Sequence, residues 1–206
     1  MSKQDGDDAS PKREGLREQK RRETLRRIAD TGLRLFLRNG YEATTLDAIA
    51  EAAGISRRTF FYYFKSKEDI ILAWQGGFAE AIRRAILEQS TKQTPLEAVK
   101  NALIKLTASY EDLQARKQMM EIDRFIRSNE TLRARQATKY AEQEQAVFDA
   151  LCALWPQPKR RTALRMVAMV SIGAFRLAID SWSQDDGRRP FAAYLRDRFA
   201  NMTAEA

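Results

Sequence analysis

Arg57, Arg58 and Thr59 open a short segment whose next five residues, Phe60, Phe61, Tyr62, Tyr63 and Phe64, are all aromatic. Two guanidiniums and a hydroxyl in one helical turn suit hydrogen bonding to the edges of bases, and exposed phenols suit contact with phosphate. Two cations at a helix start oppose the helix dipole, and a nearby anionic backbone removes that penalty. Phe60 and Phe64, four apart, are expected in a core, with Tyr62 and Tyr63 partly exposed. The chain offers little rival chemistry. It has no histidine, so His general acid–base catalysis and His-based metal sites are excluded together. The lone Cys152 cannot form an intrachain disulfide and sits among Ala150, Leu151, Ala153 and Leu154, as a small core residue would. No paired-carboxylate or glycine-rich phosphate motif stands out. The expectation is a chain that is not an enzyme and needs no metal or cofactor.

The elements that must carry these residues can be read from local signals. Thr44-x-x-Asp47 is a capping-box pattern, and Leu46, Ile49 and Ala50 mark one apolar face of the helix it opens. Gly54 stops that helix, Ile55 plugs the turn, and Ser56 caps a second short helix. This is a helix-turn-helix pattern whose second helix starts at the two arginines. Ser66-x-x-Asp69 opens a further helix, with Lys67 in its first turn. Thr45, Ser56, Tyr62, Tyr63 and Lys67 are therefore candidates to hold a nucleic-acid backbone, and Arg57, Arg58 and Thr59 to read bases.

Residues 44–56 (ThrThr-x-x-x-Ile-Ala-x-x-Ala-Gly-Ile-Ser), ThrPhe at 59–60 and TyrPhe-x-SerLysGluAsp at 63–69 together resemble the DNA-binding domain of TetR-family transcriptional regulators. The resemblance covers residues 20–72. It implies a regulator, more often a repressor, that binds a palindromic double-stranded DNA operator as a homodimer and is released by a small-molecule effector. One departure is Phe61, where the family often carries a tyrosine whose hydroxyl meets phosphate.

Net charge is +8, and residues 12–27 hold eight basic side chains (Lys12, Arg13, Arg17, Lys20, Arg21, Arg22, Arg26 and Arg27) against Glu14, Glu18 and Glu23. Such an arm can neutralise phosphates; Leu16 and Leu25 are too sparse to insert it into a membrane surface. Residues 1–15 read as a charged disordered tail. The first helix is expected from Leu16 to Asn39, stopped by Gly40, with Leu25, Ile28, Ala29, Gly32, Leu35 and Phe36 as its stripe. The longest apolar run, Met166–Ile179, is shorter than the roughly 18 residues that suggest a membrane span and contains Arg176. With no apolar N-terminal segment either, the expectation is a cytoplasmic protein without a membrane partner.

A helix is expected from Ser66 to about Glu88 with Gly76-Gly77 as a weak point. Thr94-Pro95-x-Glu97 starts the next, followed by Leu113–Arg127, Glu130–Leu154, Lys159–Trp182 and Pro190–Met202. The fold class is all-α with about nine helices: a charged tail (1–15), a three-helix DNA-binding domain (16–68) and a helical ligand-binding and dimerisation bundle (69–206). The helix at 159–182 is apolar almost all round, so both faces require cover. The family resemblance implies that it and the last helix form a four-helix dimer interface, for which Met166, Val170, Phe175, Phe191, Tyr194, Leu195 and Phe199 are the candidates. An effector pocket is implied among the middle helices, with Trp74, Phe78, Tyr110, Met119, Met120, Phe125 and Phe148 as its apolar body. Arg124 and Arg127 at its mouth suit an amphipathic anion, such as a fatty-acyl thioester or another aliphatic or aromatic acid. Open alternatives are a neutral hydrophobic ligand, a constitutive architectural DNA-binding protein without effector, and a helical-bundle enzyme.

Overall fold

The computed structural model describes residues 11–74, 76–108 and 112–204. The described residues form ten α-helices and no strand, in two compact units, Met1–Trp74 and Gln75–Ala206. The expected tail at residues 1–10 lies outside the described residues, whereas 11–15 belong to the first helix.

The first unit contains α1 (Pro11–Asn39), α2 (Leu46–Ala52), α3 (Arg57–Tyr63) and α4 (Lys67–Trp74). Its core is Ile28, Ala29, Leu33, Phe36, Ile49, Phe60, Phe64, Ile70 and Ile71, all buried. Residues 15–23 of α1 are exposed throughout and contribute nothing to that core. Gly32 lets α1 approach Ile70 of α4 closely: a Cβ there would lie 2.8 Å from Ile70 Cγ2. The α2–α3 turn is a left-handed helix stop. Gly54 has φ +66°, Gly54 N–H donates to Glu51 O (2.9 Å), and Ile55 N–H donates to Ala50 O (3.0 Å). Those paired bonds satisfy the last carbonyls of α2, and glycine adopts the required φ without a Cβ penalty.

The cap of α2 is one residue later than the capping-box pattern places it. Thr45 Oγ1 accepts from Ala48 N–H at 3.1 Å. Thr44 is buried, with its hydroxyl within hydrogen-bond reach of Gly40 O (2.7 Å) and Leu35 O (3.2 Å). It ties the end of α1 to the following turn. At α4 the expected pairing is present: Ser66 Oγ accepts from Asp69 N–H, and Asp69 Oδ2 accepts from Ser66 N–H and Lys65 N–H. The long helix expected from Ser66 to Glu88 is two helices. Gly77 at φ +102° interrupts it, a conformation that no continuous α-helix allows.

The second unit contains α5 (Phe78–Leu87), α6 (Pro95–Leu106), α7 (Leu113–Ser128), α8 (Glu130–Leu154), a 3-10 turn (Pro158–Arg160), α9 (Arg161–Gln184) and α10 (Phe191–Ala204). Thr94 and Glu97 form the expected reciprocal box at α6, which holds the Glu97 carboxyl below its ordinary range through hydrogen bonds from Thr94. α9 is central, touching α6, α7, α8 and α10, while α5 lies along α8. Phe175 anchors the core: its ring stacks on Phe78 (5.2 Å) and meets Phe191 edge-on (6.0 Å).

Pro158–Gln184 is long and apolar enough to cross a bilayer. Here one side of it, Leu164, Ala168, Ile172, Phe175, Ala178 and Trp182, is buried in the unit's own core. This corrects the interface assignment. Phe175, Phe191, Tyr194, Leu195 and Phe199 are at most 3% exposed within a single chain, packed into its own core rather than presented on its surface. The uncovered face of α9 is Met166 (60%), Met169 (51%), Val170 (43%) and Leu177 (56%).

Candidate nucleic-acid interface and effector cavity

α3 turns Phe60 and Phe64 into the core and leaves Arg57, Arg58, Phe61 and Tyr62 outward, a division set by the helical period. Tyr62 is 73% exposed, and half-buried Tyr63 supports it edge-on at 5.0 Å. Ser56 caps α3: its Oγ accepts from Thr59 N–H at 3.0 Å, and the two hydroxyls lie 2.8 Å apart. Both are therefore engaged with each other. Arg57 reaches Asp47 at 3.3 Å and lies over the Phe61 ring at 5.7 Å. That pair is solvent-exposed on both sides and is worth little. Arg58 is exposed and has no carboxylate partner among the described residues. Phe61, which lacks a hydroxyl, is the platform beneath Arg57.

Lys67 is placed differently from the free phosphate ligand that its position suggests. Its Nζ donates to Tyr41 O at 2.8 Å and sits 4.2 Å over the Tyr41 ring. The N–H groups of Lys65 and Ser66 at the α4 start are already taken by Asp69. The Tyr41 hydroxyl donates to Glu68 at 2.7 Å. Burial first, then this bond and the Glu68 charge, push the phenol well above its ordinary value.

In the second unit a cavity of about 240 Å³ opens between α7, α8 and α9. Met119, Ile122, Ile126, Ala137 and Ile179 form its apolar wall, and Asp123, Arg127, Arg133, Gln136, Tyr140, Arg176 and Asp180 supply its polar groups. Arg127 is held from both sides, by Asp123 (2.7 Å) on its own helix and Asp180 (2.6 Å) on α9. Its pKa is raised chiefly by the Asp123 bond. Arg133 donates to the Arg127 carbonyl at 2.6 Å. The Arg176 guanidinium lies 4.5 Å above the Tyr140 ring. Burial pushes the Tyr140 phenol up, opposed in part by its bond with Gln136. The Gln136 Oε1 atom is buried without a hydrogen-bond partner.

Of the expected pocket residues, Met119 and Arg127 line this cavity. Met120 and Phe148 are core, and Phe78 is committed to Phe175. Arg124 pairs with Asp186 at 3.9 Å and, like Phe125, does not line the cavity. The Trp74 side chain and Tyr110 lie outside the described residues. Sequence reasoning passed over Gln136, Arg176 and Asp180. A signal was present: Arg176 is the only charge in the run Met166–Ile179, and Asp180 follows it at i+4.

Comparison with known proteins agrees with both units. Residues 28–74 match the model of bacterial regulatory proteins of the tetR family, and residues 93–206 match that of the MftR C-terminal domain. The chain belongs to the TetR family and carries its helix-turn-helix unit. It is 38% identical over 94 residues to the HTH-type transcriptional regulator TcmR of Streptomyces glaucescens, covering 46% of this chain and 42% of TcmR. The chain thus spans less than half the length of that relative. It is 27% identical over 172 residues to MftR of Mycobacterium tuberculosis, named for mycofactocin biosynthesis, covering 81% of this chain and 83% of MftR. The fold is similar to that of the repressor FadR of Thermus thermophilus, solved with lauroyl-CoA, at a TM-score of 0.54 and 21% identity over 85% of this chain and 91% of FadR.

Proposed function

We propose that the chain acts in the cytoplasm as a homodimeric repressor that binds a two-fold DNA operator and is released by a small amphipathic anion. The observation that carries the dimer is the uncovered face of α9. Met166, Met169, Val170 and Leu177 recur at helical spacing, and Gly173 between them has no atom within 4 Å of an added Cβ. A second copy supplies the missing cover and sets two α3 helices at half-sites along the duplex. On each copy Arg57 and Arg58 read base edges and Tyr62 and Thr45 hold the backbone. FadR's ligand, lauroyl-CoA, is itself an amphipathic anion, which supports the effector class. A constitutive DNA-binding protein is the rival reading; the polar-lined cavity favours a ligand over it.

The test is light scattering combined with operator titration. Wild type is expected to be a dimer at micromolar concentration, and Val170→Glu with Met166→Glu to give folded monomers with weak half-site binding. A wild-type monomer, or a double variant that stays dimeric, overturns the α9 interface.

A further inference from the structure

The cavity between α7, α8 and α9 carries information about its ligand that neither family membership nor sequence supplies. At about 240 Å³ it falls below the roughly 300–1,000 Å³ of pockets for drug-sized molecules. It is open to solvent on one side, and its enclosed part suits the body of a medium-chain or single-ring acid.

The charges on its wall divide into two kinds. Arg127 is saturated: Asp123 and Asp180 clamp it at 2.7 and 2.6 Å, and an anion can reach it only by displacing one of them. Arg127 is therefore the bolt between α7 and α9, not an anchor for ligand. Arg176 is different. It lines the same cavity, is exposed to solvent, rests on the Tyr140 ring at 4.5 Å and has no carboxylate partner among the described residues; Arg133, which has none either, is engaged with the Arg127 carbonyl. Its guanidinium is planar and donor-rich, suited to holding a carboxylate through two hydrogen bonds. The Tyr140 face beneath limits the directions from which an anion can approach. Summed over the wall, three arginines face two aspartates, a positive balance at a solvent-open site that favours an anion over a cation. Gln136 Oε1, buried without a donor, asks in addition for a hydroxyl or amide proton.

We infer that this cavity binds a compact monoanionic amphiphile, a medium-chain or single-ring carboxylic acid, with its carboxylate on Arg176 and its body against Met119, Ile122, Ile126 and Ile179. The inference rests on the effector reading above and replaces Arg124 and Arg127 with Arg176 as the anion anchor. An added hydroxyl or amide that reaches Gln136 selects among such acids.

Calorimetry on the full chain tests it, with octanoate, octan-1-ol and octanoyl-CoA as probes. Octanoate is expected to bind one per chain, and octan-1-ol at least tenfold more weakly. Arg176→Gln should lose at least tenfold in octanoate affinity, a charged hydrogen bond being worth that much. Arg176→Lys should keep part of it, and the octan-1-ol affinity should be unmoved by either. Asp180→Asn removes a negative charge at constant size but also opens the Arg127 clamp, so it should tighten octanoate severalfold in the otherwise wild-type chain and fail to restore wild-type affinity in Arg176→Gln. Equal binding of alcohol and acid overturns the inference, as does wild-type octanoate affinity in Arg176→Gln, or binding of octanoyl-CoA alone. Should Arg176→Gln fail to fold, the alcohol comparison and Arg176→Lys decide. Operator release is read separately: octanoate that binds through Arg176 without releasing DNA leaves the ligand assignment standing and removes the effector reading.

Discussion

Gly32→Ala should loosen the DNA-binding unit, although alanine is the better helix former. The added Cβ would lie 2.8 Å from Ile70 Cγ2, 3.1 Å from Ile70 Cδ1 and 3.5 Å from Ile49 Cγ2. Carbon atoms pack best at about 3.5–4.0 Å, so Ile70 must retreat by about 0.7 Å. It has nowhere to go: Ile70 and Ile49 are both 0% exposed. Overpacking of this kind costs about 1–3 kcal/mol. Replacing glycine inside a helix returns about 1 kcal/mol. The net is a destabilisation of up to about 2 kcal/mol. Gly15, on the same helix, has nothing within 4 Å of its added Cβ. Gly15→Ala therefore reports the propensity gain alone, and the difference between the two variants isolates the packing cost, with the unfolded-chain contribution cancelled. The assay is amide hydrogen exchange in peptides from α2 and α3 together with operator affinity. Gly32→Ala should lower protection and weaken DNA binding, because α2 meets the same Ile49–Ile70 contact. A Gly32→Ala variant as stable as Gly15→Ala refutes the close approach of α1 and α4.

Tyr41 gives a pH dependence. Its folded-state pKa is raised by burial and by Glu68, so the folded chain keeps a proton that the unfolded chain releases near pH 10. This contribution to stability is whole below about pH 10 and is lost as pH rises beyond it. Tyr41→Phe should flatten the fall of the unfolding midpoint above that pH; an unchanged slope counts against the buried phenol. Lys67→Ala should weaken binding to specific and non-specific DNA alike and reduce the salt slope by about 0.9 per chain if the ammonium, held on the Tyr41 carbonyl, still neutralises a phosphate. An unchanged slope would assign Lys67 to the Tyr41 turn alone. Arg58→Ala should cost about 1–3 kcal/mol in operator affinity and relax preference at one base pair. Unaltered affinity and preference in both Arg57→Ala and Arg58→Ala would move base reading off this turn.

What the sequence made legible were features settled within a few residues. Gly54-Ile55-Ser56 encodes its turn because only the left-handed φ closes both end bonds of α2, and Phe60 and Phe64 face inward because they are four apart on a helix with one covered side. Thr44 and Thr45 show the limit of such signals. Either threonine has a hydroxyl at capping distance in sequence, and the choice falls to Thr45 because the turn at Gly40, φ +85°, directs Thr44 back onto the carbonyls of α1. α9 shows a larger limit. Its pattern says that two faces require cover but not which neighbour covers each. α10 uses Phe191, Tyr194, Leu195 and Phe199 to bury the Phe175 side within the chain, and the Met166–Leu177 side is left uncovered. The cavity follows the same logic. The i,i+4 pair Asp123–Arg127 can be read from α7 alone, and Arg124, about 100° further round the helix, points elsewhere. That Asp180 completes the clamp depends on how α9 crosses α7, a contact between residues 53 apart. Once Arg127 is clamped, the anion-binding role passes to the arginine that α9 places in the same cavity without a carboxylate of its own. A charge inside an apolar helix is costly unless it reaches water or a counter-charge. Arg176 is exposed and reaches water, so its place on α9 costs little and its guanidinium stays open to an anion.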